Sequence, residues 1–197
     1  MILGAIALYL IVSLVVVILA ARAAKKRGKS PWRWGGAVAL VMYLLVFWDH
    51  IPTVVAHKYY CEKEAGFWVY KTVEQWKAEN PGVAETLTWR EIPDRSDTIQ
   101  LPDGATRYIL NERFIWEIHR RHLPFLPTTI SEELVIDQKR ADILARRISV
   151  GSSYGNLAVG GNDWRALKFW LSLDPCILES KTFGFFLTEV KRMGAKK

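Results

Sequence analysis

The stretch WGGAVALVMYLLVFWDHIPTVVAHKYYC, residues 34–61, begins as a membrane-type apolar run and ends at one of only two cysteines in the 197-residue chain. Asp49, His50 and Pro52 lie between, and Asp49 is the only acidic residue among the first 56. If these three are tolerated, the run from Trp34 to Ala56 is long enough to cross a hydrocarbon core of about 30 Å. The part that precedes them, Trp34 to Trp48, would make only about 22 Å of helix. Two placements of Asp49 and His50 follow. Either they sit among headgroups at an interfacial exit, or they lie a turn inside the boundary against a partner helix, where an ionisable residue marks a functional contact. His57 follows His50 by seven positions, two helical turns, and so shares its face. Asp49, His50 and His57 are therefore candidates for a membrane-helix contact, or for ligands to a metal or cofactor held by a partner's helices.

Upstream, residues 2–21 read ILGAIALYLIVSLVVVILAA, twenty positions without a charge, which matches one membrane crossing. A secretory signal would carry its basic residues before the apolar core. Here they follow it, so the segment is expected to stay in the protein. They fall in RAAKKRGKSPWRW, residues 22–34, as Arg22, Lys25, Lys26, Arg27, Lys29 and Arg33, with no acidic residue among them. The positive-inside rule makes this loop cytoplasmic, and the same cations suit anionic lipid headgroups. Trp32 and Trp34 at one end, with Tyr43, Phe47 and Trp48 toward the other, fit interfacial belts. The expected layout is a two-helix transmembrane hairpin over residues 1–56 and a domain over residues 57–197 on the far side. In a bacterium that places the hairpin in the inner membrane and the domain in the periplasm.

The net charge of +7 belongs mostly to this topology signal, since residues 1–56 hold six of the basic residues and one acidic, leaving only +2 for the remainder. With the basicity concentrated in the hairpin loop and little left over for the domain, nucleic acid, whose usual footprint is a clustered basic face, is not an expected partner. Cys61 and Cys176 both fall in the expected periplasmic part, where an oxidising compartment makes one disulfide the default. The alternative is two unpaired buried cysteines.

Residues 57–197 read as one α+β domain with antiparallel strands. FWVYKTV has the β-branched and aromatic content of a strand, and Thr72 with Gln75 forms a capping box for a short helix, EQWKAEN, that Pro81 and Gly82 would stop. LPDGAT, residues 101–106, is a turn. From Thr106 to Ile118, Tyr108, Leu110, Phe114, Trp116 and Ile118 share one parity, which predicts a half-buried strand interrupted at Glu112. ISEELVIDQKRADILARRISV predicts an antiparallel hairpin turning near Asp137 to Asp142. SSYGNLAVGGND is a loop, and Asn162 or Asp163 could cap a helix through DWRALKFWLSL. FGFFLTEVKRM fits a strand or a helix.

CEKEAGFWVYKTV after a membrane helix, with ELVIDQKRADILARR downstream, resembles uncharacterised bacterial inner-membrane proteins. Their soluble domain opens with a Cys-x4-Gly-x2-Val-Tyr-x-Thr-Val stretch. The resemblance covers about thirty residues of this chain and implies bacterial origin and domain layout; no activity comes with it.

The most metal-like spacing is EIHRRHLP, with Glu117, His119 and His122. On a helix the two histidines would lie one turn apart. On a strand, period two puts Glu117 and His119 on one face and His122 on the other, and a third ligand is missing. GSSYGNLAVGG matches no phosphate-binding or nucleophile motif. No cofactor is expected. Of the nine tryptophans, six lie beyond the membrane edges, and aromatics beyond a small core's needs suit protein interfaces. The expectation is an accessory, assembly or partner-recognition subunit of a larger membrane or envelope complex, with lipids and other membrane or periplasmic subunits as partners. The second reading is a membrane-anchored enzyme or metal-binding protein using Glu117, His119 and His122.

Overall fold

The structure, a computed structural model, describes residues 2–89, 98–154, 168–176 and 180–196. The N-terminal apolar run forms α1 (Ile2–Lys26), and its Ala7–Lys26 portion is the one described helix that by itself is long and apolar enough to cross a membrane. Helix α2 (Pro31–Phe47) folds back along it. Proline at the first position of α2 presets the helical φ and gives up an N–H that would have had no partner there. The segment expected as a loop over residues 22–34 is mostly helix: Arg22, Lys25 and Lys26 ride the end of α1 and Arg33 the start of α2. Cations in a last turn complement the helix dipole. Gly35 is buried in the hairpin, and a Cβ there would lie 3.4 Å from Ala21 Cβ. Its small size therefore serves the approach of α1.

The second apolar run is not one straight span. It breaks after Phe47 into α2 and α3 (His50–Lys63), which meet at a bend of 59°. The break sits where Pro52 requires it. A regular helix would carry a bond from residue 52 to the Trp48 carbonyl, and proline lacks the donor and crowds that carbonyl. The ladder resumes one residue later, with Thr53 N donating to Asp49 O at 3.0 Å. Helix α3 runs through position 56 without interruption and packs on the sheet, so the chain leaves the apolar hairpin inside a helix and not in a linker.

The domain is built on a seven-stranded antiparallel sheet. Its strands are β1 (Gly66–Val69), β3 (Thr98–Gln100), β4 (Thr106–Ile109), β5 (Phe114–His122), β6 (Thr128–Asp137), β7 (Asp142–Ser152) and β8 (Leu173–Cys176). Their order is β1-β7-β6-β5-β4-β3, with β8 also paired to β7. A separate parallel bridge joins β2 (Thr88–Trp89) to β9 (Ala195–Lys196). The β6–β7 hairpin forms as its sequence predicts, and Gly104, at φ +83°, provides the left-handed residue that the 101–106 turn needs.

The alternating run from 106 to 118 is two strands of a hairpin. Asn111 makes the reversal, its side-chain oxygen accepting from Arg113 N and Phe114 N, both at 2.9 Å. Such Asx turns compete with strand extension. The pairing sets Tyr108 against Trp116 and Thr106 against Ile118, so residues of equal parity share a face across the turn. The alternation thus survives the reversal, which is why the sequence reads as one strand.

Two helices cover one sheet face: α4 (Val73–Glu79), with the predicted Thr72–Gln75 capping box, and α5 (Ser180–Lys191), which settles FGFFLTEVKRM as helix. Phe183, Phe186 and Val190 keep helical spacing and close on Trp76, Phe114, Val135 and Leu144. Within this apolar layer Arg113 pairs with Asp137, whose side chain is fully buried. Asp137 also accepts from Trp76 Nε1 at 2.9 Å and from Lys139 N at 3.0 Å. Burial pushes the Asp137 carboxyl up, but the hydrogen bonds from Arg113, Trp76 and Lys139 outweigh it and hold the pKa below the ordinary carboxylate value. The helix expected through DWRALKFWLSL lies outside the described residues as far as 167; beyond it Phe169–Leu171 is a single 3-10 turn.

Removing one member of a buried ion pair leaves the other charge stranded, typically at a cost of about 3–5 kcal/mol. Asp137→Asn should therefore lower stability by about that much, read as a fall in the urea midpoint in detergent solution. Because the folded pKa is depressed, the stabilisation from Asp137 is complete above the unfolded carboxyl value and is lost as pH falls through the folded one. The wild type should accordingly lose more stability on acidification than Asp137→Asn does.

Candidate functional site

The far face of the sheet divides into a part that α3 covers and a part left open. Under α3, Ile130, Ile148 and Val150 pack with Tyr60, Cys61, Ala65, Leu123 and Cys176. This contact joins the apolar hairpin to the domain, and the candidate residues of the opening stretch all lie on it or beside it.

Asp49 stands at the N-terminal end of α3 and is fully buried. It makes no capping bond to its own helix; instead Lys168 Nζ donates to its Oδ2. Lys168 also lies over the Trp48 ring, 5.8 Å from the centroid, while Trp170 packs against Phe47 with centroids 4.7 Å apart. Asp49 Oδ1, Thr53 Oγ1 and Trp170 Nε1 are buried without a hydrogen-bond partner among the described residues. A carboxylate at a helix N-terminus beside an ammonium is well placed electrostatically. Asp49 therefore acts at the bend, as a contact to the chain's own domain.

His50 and His57 share a helix but turn to different neighbours. His50 Nδ1 meets Tyr43 Oη at 3.3 Å on the exposed side. His57 Nδ1 meets Ser152 Oγ at 3.0 Å, and Ser152 in turn bonds Thr128 Oγ1 at 2.9 Å, with both hydroxyl residues buried on the sheet. One turn after His57, Cys61 forms a disulfide with Cys176 of β8, Cα atoms 5.8 Å apart. The bond closes a separation of 115 residues and fastens α3 to the sheet's β8 edge.

The part of the face beyond α3 carries Glu117, which is buried, and His119, which is half-buried. Glu117 accepts from Arg107 Nε at 2.7 Å, and its other oxygen lies 3.3 Å from His119 Nε2. His122 points the other way and meets Thr129 Oγ1 at 2.9 Å. The strand period thus separates the three residues of the proposed metal cluster: two meet and the third does not converge. Beside them is a cavity of about 330 Å³ lined by Glu64, Asp103, His119, Arg120, Glu132 and Arg146 among others. Most of its charges are internally paired, Arg146 with Glu132 at 2.6 Å and Arg121 with Glu64 at 2.8 Å. Paired charges of both signs fit recognition of a mixed-charge surface better than capture of a single ion.

Arg22, Lys25, Lys26, Arg27, Lys29 and Arg33 are all exposed at the closed end of the hairpin, with Lys29 Nζ 4.9 Å from the Trp34 ring centroid. Lys168, Ser152 and Thr128 are the site residues that the sequence reading missed. Each is brought to the junction across a long separation, and none stands in a motif. No protein-family model, no curated protein and no solved structure matches the chain.

Asp49→Asn and Lys168→Met should each destabilise the protein, by about 3–5 kcal/mol where a buried charge is left unpaired. The double variant Asp49→Leu with Lys168→Met should recover much of that loss, since a buried pair replaced by apolar groups is often neutral. Thermal melting in detergent, followed by tryptophan fluorescence, checks the cycle.

Proposed function

We propose that this chain is a membrane-held binding subunit, in which a two-span helical hairpin fixes an interaction domain at the membrane surface for recognition by other subunits of a larger envelope or membrane complex. The single observation that carries this reading is the construction of α3, which continues the apolar hairpin and is also a packed layer of the domain. The Asp49–Lys168 ion pair holds one end of that helix, and the Cys61–Cys176 disulfide holds the other. A domain so fixed presents its open charged face at a set height and angle to the membrane. That is a requirement for docking and of little use to an enzyme on a flexible tether.

In this reading α1 is one span and α2, with the first turns of α3, is the second. The basic residues at 22–33 face the cytoplasm by the positive-inside rule, and the domain faces the periplasm of a bacterium. The Glu117–His119 pair with Arg107 belongs to the docking face. Charge of alternating sign there sets register and excludes wrong partners more than it adds affinity.

Cross-linking and mass spectrometry in native membranes, with a photo-reactive residue at position 120, is the direct test. A defined partner should cross-link in wild type and be lost when Arg146→Glu and Glu132→Arg are introduced singly, and it should return in the double variant where the pair is restored in reverse. A cross-link indifferent to these changes, or no partner at all, would remove the basis for the docking face.

A further inference from the structure

We propose that His57, Cys61 and Cys176 form, in the dithiol state of the chain, a binding site for a thiophilic divalent cation of the zinc class. One nitrogen of His57 and the two sulfurs lie within 4.8 Å of one another. The arrangement follows from two elements. His57 and Cys61 are four residues apart on α3, one turn, and so face the sheet together. Strand β8, paired to β7 at Val150 opposite Cys176, delivers the second sulfur.

The chemistry of the three donors fits such a cation. Two thiolates and an imidazole are a known zinc donor set, with a fourth position left for water or another ligand. Tetrahedral zinc places its donors about 3.3–3.8 Å apart, given Zn–S of about 2.3 Å and Zn–N of about 2.0 Å. On reduction the two sulfurs part from bonding distance toward that spacing, and the His57 nitrogen, already within 4.8 Å of both, needs only a small approach. The histidine is also supported in the manner of a metal ligand. Its Nδ1 is engaged by Ser152, which Thr128 holds in turn, and this buried hydroxyl chain fixes the ring beside the two sulfurs.

The disulfide and the cation exclude each other, because each uses both sulfurs. An external reductant, a dithiol that becomes a disulfide or a phosphine that with water becomes its oxide, supplies two electrons and two protons, breaks the S–S bond and gives two thiols. The cation then binds both as thiolates, displaces two protons to solvent, and takes His57 as neutral imidazole. Either state joins α3 to β8, so the junction stays fastened in oxidising and in reducing surroundings. This inference stands independently of the partner-recognition reading.

The test uses the full-length chain in detergent micelles, reduced with a phosphine under anaerobic conditions, freed of reductant and titrated with Co²⁺ as a spectroscopic stand-in. Wild type should take one equivalent, with a thiolate-to-cobalt charge-transfer band and tetrahedral ligand-field bands that Zn²⁺ bleaches. Oxidised protein should show neither. His57→Gln keeps both cysteines and the disulfide, and it should bind roughly 10-fold more weakly or worse; Ser152→Ala should weaken binding roughly 10- to 100-fold. A folded, reduced wild type without the thiolate–cobalt band would overturn the proposal, as would His57→Gln titrating like wild type. If reduction abolishes the near-ultraviolet tertiary signal, adding the cation must restore it, and failure to do so equally overturns the proposal.

Discussion

Helix α3 does two jobs with one run of residues: it continues the apolar hairpin beyond a bend, and it packs on the domain's sheet. Pro52 withholds a backbone bond from Trp48 and sets the bend at which the apolar hairpin turns onto the domain. A bent helix alone would be free to swing. It is held because Asp49 at its start is buried against Lys168, and Cys61 near its end is bonded to Cys176. Both attachments reach to the 168–176 part of the chain, so a segment more than a hundred residues downstream fixes the direction in which the hairpin leaves the domain.

The two faces of the sheet solve different problems. On the α4 and α5 side an apolar layer surrounds one buried network, Arg113–Asp137 with Trp76, where every partner is supplied. Such a network costs desolvation and is tolerated only when fully satisfied. On the other side α3 covers only part of the sheet, and the remainder carries the pair Arg107–Glu117, whose carboxylate is buried, and half-exposed pairs such as Arg146 with Glu132. Pairs of that kind contribute little to stability. Their value on an open face lies in orienting whatever meets it, which is the property the binding-subunit reading draws on.

Much of the architecture was legible locally. Capping at Thr72, the turn at Gly104 and the β6–β7 hairpin depend on neighbours in sequence, and all three form where the residues indicate. The errors have equally local causes. The 106–118 strand hid its turn because the hairpin register preserves parity. Pro52 marks the second apolar run for a kink in the sequence already, but hydropathy alone does not say that the run breaks into two helices at a bend of 59°. The candidate site was half legible: Cys61, Cys176, Asp49 and His57 stand out as rare residues in an apolar context, whereas Lys168, Ser152 and Thr128 are ordinary polar residues until the fold places them.

Composition and period alone are enough for the apolar N-terminal helix and the mixed antiparallel domain, and a count of two cysteines makes a bond between them the default, which the fold then forms. Strand alternation already separates His122 from Glu117 and His119, but it took the folded chain to bring Lys168 to Asp49, Arg107 to Glu117 and Ser152 to His57, and to set His57 beside the disulfide. Those outcomes depend on strand register and on contacts between residues far apart in the chain. Local pattern tells which side of a strand a residue takes, and not which distant side chain arrives beside it.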